Sequence, residues 1–171
     1  MKLQIGSGRV RGKYRGKAWL NIDISRFDDV NVIGSGCLLP FADGAFEEIH
    51  CIHVLEHLKR DQYPVMLKEI HRVLEHGGST FIEVPDIVAT TQWLLQAHRD
   101  NDHELVRLWV TSIYGKSEVP GMSHHWGFYD VTLKKALFDA GFRIATRLDT
   151  LEDMISTHYQ QEPILLVRGL K

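Results

Sequence analysis

The feature that most constrains this chain lies in its first two dozen residues. A strand-like run, Lys2 to Ile5, goes directly into Gly6-Ser7-Gly8, and a second alternating run, Ala18 to Ile24 ("AWLNIDI"), carries an acid, Asp23, near its end. Glycines, lacking a Cβ, let backbone approach a bound molecule closely. A carboxylate at the tip of the second strand is placed to take two hydroxyls of a ribose. Strand, glycine loop, strand and terminal acid make the nucleoside-binding half of an open α/β sheet. A glycine turn alone, or a surface acid alone, points to no ligand; together they favour one.

The rest of the chain continues the alternation. Val30 to Ile33 is short and β-branched, Asp43-Gly44 marks a turn, and Glu48 to His53 reads as a fourth strand. Asp61 is the expected N-cap of a helix that carries Pro64 in its first turn. Met66, Leu67, Ile70, Val73 and Leu74 share one face of it, and Gly77-Gly78 should end it. Ser79 to Val84 is a fifth strand, stopped by Pro85. Residues 86–114 hold two helical patterns separated by the polar run His98 to Glu104. A loop with Pro120, Gly121 and "HHWGFY" leads to a helical stripe, Leu133, Ala136, Leu137 and Ala140, closed by Gly141. Arg143 to Leu148 and Ile164 to Arg168 are the last strands, joined by a short helical or irregular link. Such alternation predicts an open α/β sheet.

At 171 residues, with no linker-like or repeated stretch, the chain reads as a single domain, 1–171. A net charge of −2 gives no global attraction to nucleic acid or anionic membrane. The two cysteines, Cys37 and Cys51, are too few for a disulfide framework and read as buried thiols of a reducing compartment. No apolar run reaches the ~20 residues of a membrane helix, and the N-terminus lacks the apolar core of a secretory signal. A cytoplasmic protein is the expectation.

The segments "LQIGSG", "LNIDIS", "VIGSGCLLPFADGAFEEIHCIHVLEHL", "KEIHRVLEHGG" and "STFIEVPD", in that order, resemble class I S-adenosylmethionine-dependent methyltransferases, most of all their small-molecule-type branch. The resemblance is close over residues 2–86 and looser through "HHWGFYDVTLKKALFDAGF" to the final strand pair. It implies a Rossmann-like, open seven-stranded α/β sheet, mostly parallel with an antiparallel last strand, and helices on both faces. It implies S-adenosyl-L-methionine as cofactor and a small-molecule acceptor. On this reading Gly6, Ser7 and Gly8 face the methionine part, Asp23 holds the ribose, and Ser35, Gly36, Cys37 and Leu38 lie beside the adenine. His53 stands at the mouth of the fourth strand, near the transferred methyl. The chain departs from the family where Gln4 replaces an acid before the glycines, an amide still able to tie the loop down. It departs again where Val10 replaces a third glycine and Ser35 an adenine-contacting Asp. The helices that usually cover the cofactor have no counterpart before Lys2, so a homodimer or a partner subunit over the cofactor site is expected.

The stretch His53-Val54-Leu55-Glu56-His57 also spells H-x-x-E-H, the ligand order of inverted zinc proteases. Zinc ligation needs both histidines on one helical face plus a third ligand, whereas this stretch spans a strand end and one turn. It reads as a methyltransferase loop with no metal. Glu56 and His57 then organise the turn, while His53 either lines the methyl-transfer site or is satisfied by a neighbouring carbonyl. His53, His124 and His125 are the candidate catalytic bases, since free imidazole titrates near pH ~6.5. The acceptor site is expected in "GMSHHWGFYD", unless Trp126 and Phe128 merely anchor that loop. Arg9, Arg11, Lys13, Arg15 and Lys17 alternate between the glycine loop and the second strand. They are either a solvated loop or a contact for an anionic substrate. The acidic balance argues against an extended nucleic-acid footprint. A nicotinamide-dependent oxidoreductase would use Gly6, Gly8, Gly12 and Asp23, but Arg11 occupies the last glycine position of its fingerprint. A non-catalytic cofactor-binding or scaffold member of the fold is the stronger rival.

Overall fold

The computed structural model describes residues 1–8, 14, 16–148 and 163–171. Seven strands form one sheet: β1 (Lys2–Ile5), β2 (Trp19–Asp23), β3 (Val32–Ile33), β4 (Phe46–Ile52), β5 (Leu74–Pro85), β6 (Ile144–Leu148) and β7 (Ile164–Leu170). Their order is β3-β2-β1-β4-β5-β7-β6. β1 to β5 pair in parallel, and β7 runs antiparallel between β5 and β6. The helices are α1 (Tyr63–Val73), α2 (Ile87–Arg99), α3 (His103–Tyr114) and α4 (Asp130–Asp139). Among the described residues no helix is long and apolar enough to cross a membrane.

Strand periodicity separates the sheet into two unlike faces. Ile22, Ile5, Cys51, Ile82 and Val167 are register partners across five strands. All five are buried in one core with Met66, Leu67, Ile70 and Val73 of α1 and Leu133 and Leu137 of α4. The next row on the opposite face reads Asn21, Gln4, His50, Phe81, Arg168 and Thr146. Among the described residues this polar row is closed by rings: Trp19 lies edge-on to His50 at 4.6 Å, and Tyr14 hydroxyl meets His50 Nδ1 at 2.9 Å. His50 Nε2 contacts Glu48 at 2.9 Å and Asn21 Nδ2 donates to the Tyr14 carbonyl at 3.0 Å, so part of this buried polar row is paired internally. α2 and α3 pack mainly against each other beyond the end of β5.

Two local expectations need correction. Asp61 is not the N-cap of α1; Gln62 is, and its side chain accepts the Lys59 N–H at 3.0 Å instead of capping the helix. The helix also ends before Gly77-Gly78, because Leu74 turns extended (φ −69°, ψ 138°) and pairs with Phe46. The carbonyls released there are taken by Lys171 Nζ, 3.3 Å from Arg72 O and 2.7 Å from Leu74 O. The two glycines lie inside β5, beside its irregular register with β4. The link between β6 and β7 lies outside the described residues.

Candidate active site

The site gathers at the carboxyl ends of β1, β2, β4 and β5. After Ile5 the chain folds onto β2, with Gly6 and Ser7 N–H both donating to Ile22 O at 2.9 and 3.2 Å. Gly8 N–H then donates to Asp23 Oδ2 at 2.8 Å, and Ser25 N–H to Oδ1 at 2.8 Å. Each oxygen of Asp23 thus holds one backbone donor and keeps acceptor capacity for a hydroxyl. Gly6 and Gly8 sit at φ +65° and +52°. A Cβ on Gly6 would land on Val54 Cγ2, so only glycine lets this loop close against the exit of β4. The Ser7 side chain is buried and its hydroxyl has no partner among the described residues. A half-satisfied carboxylate, a glycine cradle and an orphaned hydroxyl fit a nucleoside ligand with a vicinal diol.

Gln4 is buried in the polar row, and its Oε1 has no partner among the described residues. Tyr14 is held by Asn21 and His50. Ser35 to Leu38 form a turn beyond β3: Cys37 N–H donates to Ser35 Oγ at 3.2 Å and Leu38 N–H to Ser35 O at 3.1 Å. Gly36 packs against Ile5 and Met66, and Leu38 is 78% exposed. Of the five basic residues, Arg9, Arg11, Lys13 and Arg15 lie outside the described residues, and Lys17 is exposed.

His53 follows the end of β4 with φ +52°, a left-handed conformation costly for a residue with a side chain. Its N–H donates to Glu83 O at 2.9 Å. Its ring bridges two buried acids, with Nδ1 3.1 Å from Glu56 Oε1 and Nε2 in an ion pair 3.1 Å from Glu83 Oε1. Burial alone would depress its pKa; the carboxylates of Glu56 and Glu83 outweigh that and push it up to about 10. An imidazolium has no lone pair with which to accept a proton. The sequence leaves a place lining the methyl-transfer site beside satisfaction by a carbonyl; the partners the ring finds are two carboxylates. Glu83 escaped the sequence reading, although an acid inside the apolar run "FIEVP" was a visible signal.

The turn after His53 docks onto the loop that precedes α4. Leu55–His57 form one 3-10 turn, with Leu55 buried in the core. Glu56 O accepts the N–H of His125 at 2.7 Å and of Trp126 at 3.3 Å, and His57 Nδ1 lies 3.1 Å from Ser123 O. Trp126 stacks on Tyr63 at 6.1 Å under the Arg60 guanidinium, while Phe128 is buried edge-on to Tyr63 at 5.2 Å. These aromatics anchor the loop. His124 is half-buried, its ring edge-on to His57 at 4.9 Å. Burial lowers its pKa, opposed by the nearby Glu56. His125 is exposed. A cavity of about 10 Å³, room for about one water, is lined by Glu56, Thr90, Ser112, His124 and Trp126.

Residues 4–82 match a family described as "Methyltransferase domain". No curated protein matches the sequence. Solved structures share the fold at low identity. A SAM-dependent methyltransferase of Thermotoga maritima is 20% identical, with 99% of this chain and 81% of that one aligned at a TM-score of 0.62. The 1,6-didemethyltoxoflavin-N1-methyltransferase of Burkholderia thailandensis, solved with bound 1,6-didemethyltoxoflavin and S-adenosylhomocysteine, is 16% identical over 99% of this chain and 70% of that one, TM-score 0.63. A Haloferax volcanii methyltransferase in complex with the Trm112 activator is 15% identical over 99% and 81%, TM-score 0.56.

Proposed function

We propose that this chain, a class I S-adenosylmethionine-dependent methyltransferase by its matched segment and its sheet, carries the cofactor's methyl group to an O, N or C atom of a small acceptor. The observation that supports this best is the closure of the Gly6–Gly8 loop onto Asp23 directly beside Val54. When bound, S-adenosyl-L-methionine supplies an electrophilic methyl on a sulfonium. Transfer from it demands alignment of acceptor, methyl and sulfur above all. Asp23 takes the ribose hydroxyls, Gly6, Ser7 and Gly8 flank the methionine part, and the turn Ser35 to Leu38 borders the adenine, with Gln4 beneath the loop. His53, clamped between Glu56 and Glu83, fixes the exit of β4. His124 and His125 stand on the acceptor side, where a base assists an acceptor that must shed a proton. The exposed Lys17 and the basic residues before it suit an anionic or sugar-like acceptor.

Calorimetric titration with S-adenosylmethionine, S-adenosylhomocysteine and NAD tests the cofactor. Release of S-adenosylhomocysteine across hydroxyl, amine and carbon acceptors, with and without phosphate groups, tests the reaction. Binding of NAD alone by folded protein sinks the reading, while cofactor binding without turnover on any acceptor favours the scaffold alternative. A partner surface over the cofactor edge is the second element of the proposal. Ile24, Ile33 and Leu38 are 72%, 56% and 78% exposed on and beside the edge strand β3. Light scattering separates a homodimer from a monomer that awaits another subunit. A monomer whose cofactor affinity is unchanged by Ile33→Lys and Leu38→Lys argues against a second copy on this edge.

A further inference from the structure

We infer that Glu56, His57 and His124 form a binding site for one divalent transition-metal ion, of which zinc fits the donors best. The H-x-x-E-H reading needs His53 and His57 on one helical face, which a strand end and a single turn do not provide; the cluster in the fold is instead Glu56 and His57 with His124. One ligating atom from each of the three residues lies within 4.8 Å of the other two. Tetrahedral ligands about 2.0–2.2 Å from zinc stand roughly 3.4 Å apart, so the trio needs to draw in by at most about 1.4 Å.

Three independent features prepare these side chains for a cation. His57 Nδ1 faces the Ser123 carbonyl at 3.1 Å, and a carbonyl only accepts, so Nδ1 carries a hydrogen and, in the neutral ring, Nε2 is the nitrogen with the lone pair. His124 likewise hydrogen-bonds the backbone of Ser112, leaving its other ring nitrogen for a ligand. Metal-bound histidines characteristically tie their second nitrogen to a carbonyl in this way. Glu56 is 2% exposed; its Oε1 is held by His53, and its Oε2 is buried with no hydrogen-bond partner among the described residues. A buried carboxylate oxygen left bare is costly, and a cation removes that cost. Two imidazoles and one carboxylate suit zinc or a neighbouring first-row ion over magnesium or calcium, which prefer oxygen. Three protein ligands leave at least one position for water or for an acceptor heteroatom.

Metal binding is measured apart from the cofactor, so its failure and that of the methyltransferase reading are distinguishable. Untagged, chelator-stripped protein is titrated with zinc by calorimetry. The expected result is one zinc per chain, bound at least tenfold more weakly by His57→Ala and by His124→Ala, and unchanged in His125→Ala. No zinc bound, or unchanged affinity in either of the first two variants, overturns the site. Should a variant fail to fold, the wild type decides: in long-range 1H–15N spectra of its ten histidines, zinc should perturb the ring nitrogens of His57 and His124 first. Perturbation of a different pair overturns the assignment.

Discussion

Gly6→Ala tests how the glycine loop reaches the exit of β4. Two separate costs are expected. An alanine at φ +65° is strained by about 1–2 kcal/mol. Its Cβ would also land on Val54 Cγ2, and overpacking of that kind costs about 1–3 kcal/mol. The single variant should therefore lose about 2–5 kcal/mol. Val54 is half-buried against the core, and Val54→Ala alone should cost about 1–2 kcal/mol for its two methyl groups. In the double variant the overlap is gone and only the backbone strain remains. The two substitutions should therefore couple by about 1–3 kcal/mol in the direction of rescue. Urea unfolding of the four proteins measures the cycle, and cofactor titration of the same set shows whether the loop must close to bind. Strict additivity would refute the close approach on which the site rests.

Asp23→Ala removes a carboxylate that anchors the loop and, on our reading, the ribose. Charged hydrogen bonds contribute about 1.5–3 kcal/mol, so affinity for S-adenosylmethionine should fall roughly 10–100-fold by calorimetry. An unchanged dissociation constant in folded protein would remove Asp23 from the site. Arg72 chelates both oxygens of Glu69 at 2.7 and 2.8 Å, meets Asp43 at 2.7 Å, and donates to the carbonyls of Leu39 and Phe41, so Arg72→Met should loosen the 39–43 loop. Arg72 holds the Glu69 carboxyl below its ordinary value. A depressed carboxylate stabilises the fold above its unfolded pKa, near pH 4.5, and that contribution fades as the pH drops through the folded value. Urea midpoints of wild type and Arg72→Met should thus converge on acidification below about pH 4.5; a gap that widens there contradicts the pairing. His124→Ala and His125→Ala should leave cofactor affinity nearly intact while lowering turnover on the true acceptor. Loss of stability with full turnover per folded molecule would make the loop only a brace.

The part of the candidate site legible in the sequence is the part built from local chain. Gly6, Gly8 and Asp23 announce themselves because a turn and a strand tip are short-range features. His53 is named by the sequence too, but its clamp is not, because the acids that decide its charge come from the turn at Glu56 and from Glu83 on the next strand. The cluster of Glu56 and His57 with His124 joins segments more than sixty residues apart, which no spacing rule reaches. The helix end was misplaced for a similar reason: Leu74 continues an apolar helical stripe, and the lysine that takes the freed carbonyls is Lys171. Asp61 has the right residue type for a cap, but the chain is already turning at Lys59, whose carbonyl accepts from Gln62 and Tyr63 N–H. The sheet's second face was hidden as well, since "HCI" shows alternation but not that His50 meets Tyr14 and Trp19.

The position of β7 between β5 and β6 has a consequence for how the protein is made. On the ribosome β5 emerges long before the strand that pairs with its outer edge, since Pro85 and Ile164 are separated by α2, α3, α4 and β6. Until β7 arrives, β5 presents a row of unpaired amides on its open side, and β6 lacks the strand it pairs with. Unpaired edges are templates for pairing with the wrong chain. The nascent protein therefore passes through an interval in which its cofactor half can be ordered while its sheet is still adhesive. A ribosome-stalled chain ending before Ile164 should bind a holdase chaperone, and one that has released β7 should not.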